Sequence, residues 1–249
     1  MTRRIIDGHA HFGKSFLAWS DKYPTLDEIL KIYDEYGITK ACISHWLIVY
    51  DSVAGNKEVY KAVREHPERL IGFAVVAPRF GKSAIEDIDR CVCDYGMKGL
   101  KVHPSAHEFY VDSKLMDPVM ERAVKYDIPV LFHSEDDQYS HPRLLGNLAT
   151  RFPKAKIIVG HMGMSAWLEA IWVAKEHEHM YLDTTNMVTE FLALKTAVEV
   201  LGEHRIVWGT DLPGLLVGAE LAKVTHARIP ESAKNRILYH NMASLLGLK

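Results

Sequence analysis

Long apolar runs, blocks of like charge and low-complexity tracts are all missing from this chain of 249 residues. No stretch reaches the ~18 consecutive apolar residues of a membrane-spanning helix, and the N-terminal MTRRIIDGHAH lacks the apolar core of a secretory signal. The formal net charge of −2 argues against a nucleic acid or another polyanion as partner, because such partners normally bind a basic surface. We therefore expect a soluble, cytoplasmic protein that binds a small molecule, with no nucleic acid and no membrane as partner; the sequence also permits a homo-oligomer.

Cysteine is scarce as well. The chain contains three, Cys42, Cys91 and Cys93, which are too few for a disulfide framework. Cys91 and Cys93 fall in the helix-like segment AIEDIDRCVCDYG, where residues two positions apart point in different directions. We therefore interpret the cysteines as reduced thiols rather than as a metal or redox site.

What the chain does contain is a regular alternation of strand-like apolar runs and segments with helical spacing. Helix boundaries are marked by a capping box at Thr25 and Glu28 and by Gly37 and Gly96 where helices are expected to end. A helical segment follows each of the first seven runs, and a longer helical tail follows the eighth. The eight predicted strands are RIIDGHAH, KACISHW, LIGFAVVAP, GLKVHP, IPVLFHS, KIIVGHMG, MYLDTTN and RIVWGTD.

This alternation predicts the fold class. Strands that are almost entirely apolar are typical of parallel sheets covered by helices, and eight strand–helix units close naturally into a barrel. No linker rich in Pro, Gly or Ser divides the chain. We therefore predict one α/β domain over residues 1–249, a (β/α)₈ TIM barrel, with an open doubly wound sheet as the alternative.

Polar residues collect at the carboxyl ends of the predicted strands, where barrel active sites are built. Residues two apart share a face of a strand, which predicts that Asp7, His9 and His11 lie together. Imidazole and carboxylate groups suit a divalent ion such as zinc, manganese or iron, and three or four protein ligands with an open position are typical of a catalytic site. Three further strands end on an in-phase histidine or aspartate: His133, His161 and Asp211.

The segment GHAHFGKS at residues 8–15 also matches the P-loop pattern G-x-x-x-x-G-K-S. A P-loop requires a helix that begins at its Lys-Ser, whereas FLAWSDKYP, which follows here, has no clear helical period and ends in proline. The triplet Gly-Lys-Ser recurs at residues 81–83 without the first glycine. We therefore interpret the match as accidental and do not expect nucleotide binding.

Seven motifs of the chain resemble, in their order, those of the amidohydrolase-related family, the branch of the amidohydrolase superfamily that includes aminocarboxymuconate semialdehyde decarboxylase. They are DGHAHFG (7–13), GLKVHP (99–104), LFHSE (131–135), GHMG (160–163), LDTTN (182–186), WGTDLP (208–213) and NMASLLGL (241–248). The resemblance implies one divalent metal ion, with zinc favoured over manganese or iron. It also implies that the metal ligands are His9, His11, His133 and Asp211. His161 would lie beside the metal in a catalytic or supporting role.

The expected activity is hydrolysis of a small amide, ester or lactone. A metal ion lowers the pKa of its bound water from ~15.7 towards ~7. Asp211 then takes a proton from this water and passes it to the leaving group, and His161 orients or polarises the scissile carbonyl. The alternative is non-oxidative decarboxylation of a small aromatic or unsaturated acid, in which Asp211 or His161 protonates the carbon. The same side chains serve both reactions, so the ligand set does not separate them.

A third hypothesis is a metal-binding protein without catalysis, which the presence of both proton-transfer residues disfavours. The predicted loops contain aromatic and cationic side chains suited to a small carboxylate: Trp19, His45, Trp46, Arg79, Lys101, His103, Ser134 and Glu135. Of these we expect four to bind substrate: Trp46, Arg79, Lys101 and His103. Arg79 would clamp a carboxylate, although a salt bridge to a neighbouring loop is the alternative. For Lys101, a structural or substrate-contacting role is favoured over that of the carboxylated lysine that bridges two metal ions elsewhere in the superfamily.

Overall fold

The computed structural model describes residues 4–13, 23–46, 51–185 and 192–248. Within these ranges the chain forms eight strands, and each strand pairs in parallel with the next one along the chain. The strands are Ile6–Phe12 (β1), Lys40–His45 (β2), Leu70–Val75 (β3), Gly99–Val102 (β4), Pro129–Phe132 (β5), Lys156–Val159 (β6), Met180–Asp183 (β7) and Ile206–Val207 (β8).

Helices alternate with the strands and cover the outside of the sheet. None of those in the described ranges combines the length and the apolar character that crossing a membrane requires. They are Leu26–Glu35 (α1), Ser52–Glu65 (α2), Lys82–Cys93 (α3), Asp117–Tyr126 (α4), Pro142–Arg151 (α5), Trp167–Glu176 (α6), Ala193–Leu201 (α7), Val217–Thr225 (α8), Glu231–Asn235 (α9) and Asn241–Leu245 (α10).

Main-chain hydrogen bonds between the β8 segment and β1 join the two ends of the sheet. The N–H of Gly8 donates to the carbonyl oxygen of Trp208 at 2.9 Å, and the N–H of His11 donates to that of Leu212 at 2.6 Å. Eight parallel strands joined in this way form a (β/α)₈ barrel. The predicted fold is confirmed, and the open doubly wound sheet is excluded.

Local capping interactions explain where the first two helices begin. The side chain of Thr25 accepts a hydrogen bond from the N–H of Glu28, whose own carboxylate accepts one from the N–H of Thr25, so the predicted capping box is confirmed. The second helix begins at Ser52, because the side chain of Asp51 accepts a hydrogen bond from the N–H of Ala54 at 2.9 Å.

Apolar side chains fill the barrel below its polar end, as well as the layer between sheet and helices. The interior cluster combines inward-facing strand residues with residues of α10, which closes the amino-terminal end of the barrel: Ile6, Cys42, Ile71, Phe73, Leu131, Ile158, Val207, Met242, Ala243 and Leu245. Cys91 is buried on α3 and Cys93 is exposed, which confirms that the two thiols point in different directions.

A bulge in β1 corrects the predicted orientation of Asp7. Three residue steps separate Asp7 from Ala10, whereas only two separate their partners in β2, so β1 contains one extra residue. Asp7 therefore faces the helices, where it accepts a hydrogen bond from the hydroxyl of Tyr33 on α1 at 2.8 Å. The prediction that Asp7 lies on the same face as His9 and His11 is wrong, because the extra residue reverses the alternation between them.

The carboxyl group of Asp7 ties three elements together, and its titration is expected to affect stability. It accepts hydrogen bonds from the main-chain N–H groups of His9 and Thr210 and from the hydroxyls of Tyr33 and Thr210. Burial outweighs these bonds and raises the pKa of Asp7 to about 7. The folded protein therefore keeps a proton that the unfolded chain releases above its ordinary pKa of 3.8.

We expect the stabilising contribution of protonated Asp7 to decline as the pH rises from about 4 to about 7, because over this range the folded state binds more protons than the unfolded state. The loss is at most about 4 kcal/mol of unfolding free energy. Urea unfolding at several pH values measures the unfolding free energy of the wild type and of Asp7→Asn, whose amide does not titrate. The advantage of the wild type should shrink over this pH range, and a constant difference would contradict the prediction.

Candidate metal centre

Histidine and aspartate side chains meet at the carboxyl end of the barrel. His9 and His11 lie in the second half of β1, His133 directly follows β5, and His161 lies just beyond the end of β6. Asp211 follows β8. Each of the five predicted positions therefore lies at the end of the sheet where barrel enzymes place their active sites.

Three of these side chains can converge on a single ion. One ligand atom each from His9, His161 and Asp211 lies within 4.8 Å of the others, and the described residues contain no other such group of histidine, cysteine or acidic side chains. The exposed fractions of His9 and His161 are 1% and 2%, and that of the Asp211 side chain is 16%. The group is therefore nearly buried, with its opening at Asp211.

Hydrogen bonds determine which ring nitrogen of His9 faces the centre. Its Nδ1 lies 2.7 Å from Oδ2 of Asp183. A carboxylate only accepts, so Nδ1 carries the hydrogen, and Nε2 is assigned the lone pair because the ammonium donor of Lys101 lies 2.7 Å from it. Nε2 lies 3.5 Å from Oδ1 of Asp211. A carboxylate behind a histidine in this way orients the ring and raises its basicity as a ligand.

His11 is held in a comparable way from the neighbouring strand. Its Nδ1 lies 2.8 Å from the hydroxyl oxygen of Ser44 on β2, and its Nε2 lies 3.3 Å from Oδ1 of Asp211. The rings of His11 and Trp46 lie 4.3 Å apart between centroids. His11 thus turns the same nitrogen as His9 towards Asp211.

His133 and His161 form a hydrogen-bonded pair beside this group. Nδ1 of His133 lies 3.0 Å from Nε2 of His161. On the other side of the same ring, Nε2 of His133 lies 3.1 Å from Oε1 of Glu135. Nδ1 of His161 lies 2.9 Å from the hydroxyl of Thr185. The ring of His133 also stacks on His103 at 3.8 Å between centroids. Both histidines are therefore held in one orientation by contacts on several sides.

The backbone at His161 and Asp211 adopts the left-handed region that non-glycine residues rarely occupy. Their φ angles are 56° and 55°. The N–H of His161 donates to Asp183 at 3.2 Å, and the N–H of Asp211 donates to the carbonyl of His9 at 2.7 Å, which helps to hold this conformation. Backbone strain of this kind concentrates at functional sites.

The electrostatic state of the group suits a cation. Burial lowers the pKa of His11 to about 3 and holds that of His161 well below its ordinary value. Burial raises the pKa of Asp211, but the hydrogen bond with His11 and the neighbouring His9 and His161 outweigh it and hold this pKa well below its usual range. Neutral imidazoles and an ionised carboxylate are the protonation states that metal ions require. The donor set therefore fits a divalent metal ion.

Lys101 of β4 also reaches this centre, although it is not a metal ligand in its charged form. Its exposed fraction is 1%, and Nζ lies 2.7 Å from Nε2 of His9. Burial lowers the pKa of Lys101 to about 8, against the opposing effect of Asp211 and Asp183. The structure thus brings this predicted substrate-binding residue into the group of histidines.

The other predicted substrate contacts are placed differently. Trp46 borders the site beside His11, and His103 borders it through its stack on His133. Arg79 is exposed and donates from Nη2 to the carbonyl oxygen of Glu108 at 2.8 Å, which favours a loop contact over a carboxylate clamp. The clamp stays a prediction. Residues 14, 15, 19 and 186 lie outside the described residues, so Trp19 and the Lys-Ser of the P-loop match are not placed.

Sequence reasoning missed the residues that orient the histidines, namely Ser44, Asp183 and Thr185. Asp183 accepts hydrogen bonds from the N–H and the hydroxyl of Thr185 as well as from the ring of His9 and the main chain of His161. One signal was present, because Asp183 ends the apolar run MYLD in the way that His133 and Asp211 end theirs.

We expect Asp183→Asn to weaken metal binding by roughly 10- to 100-fold, because supporting partners of histidine ligands contribute about that much. An amide can donate to Nδ1 of His9 and thereby move the ring hydrogen onto Nε2. Competition with a chromophoric chelator measures the affinity. Asp94→Asn, at an exposed position after α3, is the matched control. Equal affinities for the two variants would contradict this role of Asp183.

Fold and site together define a metal-binding (β/α)₈ barrel protein, and comparison with known proteins supplies its family. The family model described as Amidohydrolase matches residues 6–248, so the chain belongs to this family and the predicted resemblance is confirmed. The chain is 24% identical to the 2-amino-3-carboxymuconate-6-semialdehyde decarboxylase of Dictyostelium discoideum over 78% of its own length and 65% of that protein's length. It is 24% identical to the gamma-resorcylate decarboxylase of Polaromonas sp. (strain JS666), over 89% and 87% of the two chains.

Solved structures share the fold at lower identity. A dihydroxybenzoic acid decarboxylase from Polaromonas sp. JS666, with bound manganese and the inhibitor 2-nitroresorcinol, superposes with a TM-score of 0.79 at 20% identity, over 99% of this chain and 97% of that one. The 5-carboxyvanillate decarboxylase of Sphingomonas paucimobilis gives a TM-score of 0.79 at 18% identity, over the whole of both chains. These likenesses show the fold.

The comparisons correct one expectation. The relatives and solved structures named above are decarboxylases, which contradicts the prediction that this protein is a hydrolase of amides, esters or lactones. The prediction failed because the same metal ligands and proton-transfer groups serve hydrolysis and decarboxylation alike.

Proposed function

We propose that this protein catalyses metal-dependent, non-oxidative decarboxylation of a small aromatic or unsaturated carboxylic acid. The observation that carries the proposal is the convergence of His9, His161 and Asp211 at the carboxyl end of the barrel. The decarboxylases among its relatives support the choice of reaction.

The proposed metal ligands are His9, His11, His133 and Asp211, the set that the family resemblance implies. Of these four, His9 and Asp211 belong to the group whose ligand atoms lie within 4.8 Å of one another, and the third member of that group is His161. When bound, a divalent ion supplies a Lewis acid that anchors the carboxylate and a neighbouring oxygen of the substrate. We favour zinc on the chemistry of the ligands, and manganese, the ion of the Polaromonas structure, is the competing choice.

His161 and Asp211 are the proposed proton-transfer groups. Because the free protein holds His161 neutral and Asp211 ionised, the group that protonates the carbon must first take up that proton from substrate or solvent. In the reaction a proton adds to the carbon that carries the carboxylate, the bond between the two carbons breaks, and CO₂ leaves. His161 is placed for this role because it is buried beside His9 and Asp211, and Thr185 and His133 fix the orientation of its ring. Burial also keeps water from competing for the proton.

The aromatic side chains at the edge of the site support a planar substrate. The ring of Trp46 lies beside His11, and the ring of His103 lies against His133. Flat rings of this kind stack favourably on an aromatic or conjugated acid. We therefore propose that Trp46 and His103 contact the ring or the double bond of the substrate.

A direct test is to load the protein with manganese or zinc and supply a panel of hydroxybenzoates and unsaturated small acids. Release of CO₂ is followed with a coupled assay, and loss of the acid is followed by chromatography. We expect CO₂ and the corresponding decarboxylated product in equal amounts from at least one acid. Release of an acid from a lactone panel, with no CO₂ from any carboxylate, would overturn the proposal.

A further inference from the structure

Within the described ranges, the buried ammonium group of Lys101 has no carboxylate within ion-pair distance, although Asp211 and Asp183 lie near enough to oppose the lowering of its pKa by burial. Its side chain is 99% buried, since its exposed fraction is 1%. Among the described residues, no acidic oxygen forms an ion pair with Nζ, and its one hydrogen bond is to Nε2 of His9 at 2.7 Å. An ammonium has three donors, so two of them lack a protein acceptor in this part of the chain.

This arrangement is costly unless a ligand completes it. Buried charges in proteins are normally paired, because taking an ion out of water costs several kcal/mol that a partner must offset. Arg79, the other cation predicted to bind substrate, is exposed and bonded to the carbonyl of Glu108. Of these two cations, Lys101 is therefore the buried one, and in the part of the chain that the structure describes it has no ion pair.

Metal binding would leave Lys101 even less satisfied. Since Nδ1 of His9 donates to Asp183, Nε2 has a single lone pair. That lone pair can accept from Lys101 or bind the ion, but it cannot do both. In the metal-loaded protein Lys101 would therefore lose its hydrogen bond to His9. None of its three N–H donors would then have an acceptor among the described residues.

We propose that Lys101 is the specificity-determining residue of the site and that it pairs with a carboxylate oxygen of the substrate, so that the site selects carboxylates over neutral molecules of the same shape. The inference rests on the proposed function and deepens it, since it names the residue that recognises the carboxylate of the substrate. His103, on the same face of the β4 segment, cannot take this role. Its Nδ1 accepts from the N–H of Ala106 at 3.1 Å, which leaves the neutral ring a donor at Nε2 without a charge.

Calorimetric titration of the manganese-loaded full chain with salicylate and with salicylamide tests the proposal. The two molecules share ring and hydroxyl, and they differ in having a carboxylate or a neutral amide. We expect the wild type to bind salicylate more tightly, and Lys101→Met and Lys101→Gln to lower this preference by roughly 10- to 100-fold, the range for hydrogen bonds to charged groups. Lys98→Met removes the same charge from an exposed position just before β4 and should keep the preference.

Elemental analysis and thermal melting check that each variant is folded and holds its metal. A wild type without a preference for salicylate, or Lys101 variants that keep the wild-type preference, would overturn the proposal. Two metal ions per chain with a carboxylated Lys101 in the mass spectrum would overturn it as well. CO₂ release from the acid panel is scored separately. If the Lys101 variants lose the preference for salicylate but no acid releases CO₂, the decarboxylase function is rejected and the role of Lys101 in binding a carboxylate is kept.

Discussion

A His9→Ala variant is expected to lose the bound metal ion and at least roughly 100-fold of the activity, because weakening even a supporting partner of a ligand costs 10- to 100-fold. Nε2 of His9 is the ring nitrogen whose lone pair points at the centre, since Nδ1 is committed to Asp183 at 2.7 Å. Among the described residues, the neighbouring rings of His11 and His161 are held by Ser44 and Thr185, so neither is free to take the position of this nitrogen.

Elemental mass spectrometry of the purified protein provides the measurement, together with the rate of CO₂ release once a substrate is known. Asp211→Ala should lose metal as His9→Ala does, because its Oδ1 faces both His9 and His11. His226→Ala, which removes an exposed imidazole at the end of α8, is the matched control and should keep the metal. Full metal content in His9→Ala and Asp211→Ala would mean that the ion binds elsewhere.

A His161→Asn variant is expected to keep its metal and lose a factor of roughly 10² to 10⁴ in kcat, the usual contribution of a proton-transfer group. The geometry makes this test necessary, because a ring nitrogen of His161 lies within the same 4.8 Å as the ligand atoms of His9 and Asp211. Position alone therefore allows His161 to be either a metal ligand or the proton donor.

His133→Ala is the informative partner of this variant. His133 is the proposed ligand and lies 3.0 Å from His161 between ring nitrogens, so the two substitutions should give opposite results. His133→Ala should lower the metal content, and His161→Asn should lower turnover at full metal content. The reverse pattern would exchange the two roles, with His161 as the ligand and His133 as the proton donor.

Local sequence patterns were sufficient for the fold because their periods reflect the geometry of each element. Alternating and helical spacings distinguish strands from helices, and eight apolar strands in regular alternation with helices leave a barrel as the natural arrangement. The capping box at Thr25 shows the same principle, since it depends only on residues three positions apart.

The orientation of β1 illustrates where pattern reasoning fails. The alternation rule puts Asp7 with His9, but an extra residue in the strand turns Asp7 to the opposite side. A bulge is decided by the register of the neighbouring strand, and the sequence of β1 alone contains no record of that register.

Local patterns placed the histidines and Asp211 at the strand ends, because the end of each apolar run marks the end of its strand. The tertiary structure decided which groups support them. Asp183 meets His9 across 174 positions of sequence, and Lys101 meets it across 92. Contacts over such distances arise only when the barrel closes, so the tautomer of His9 and the position of Lys101 beside it follow from the closed fold.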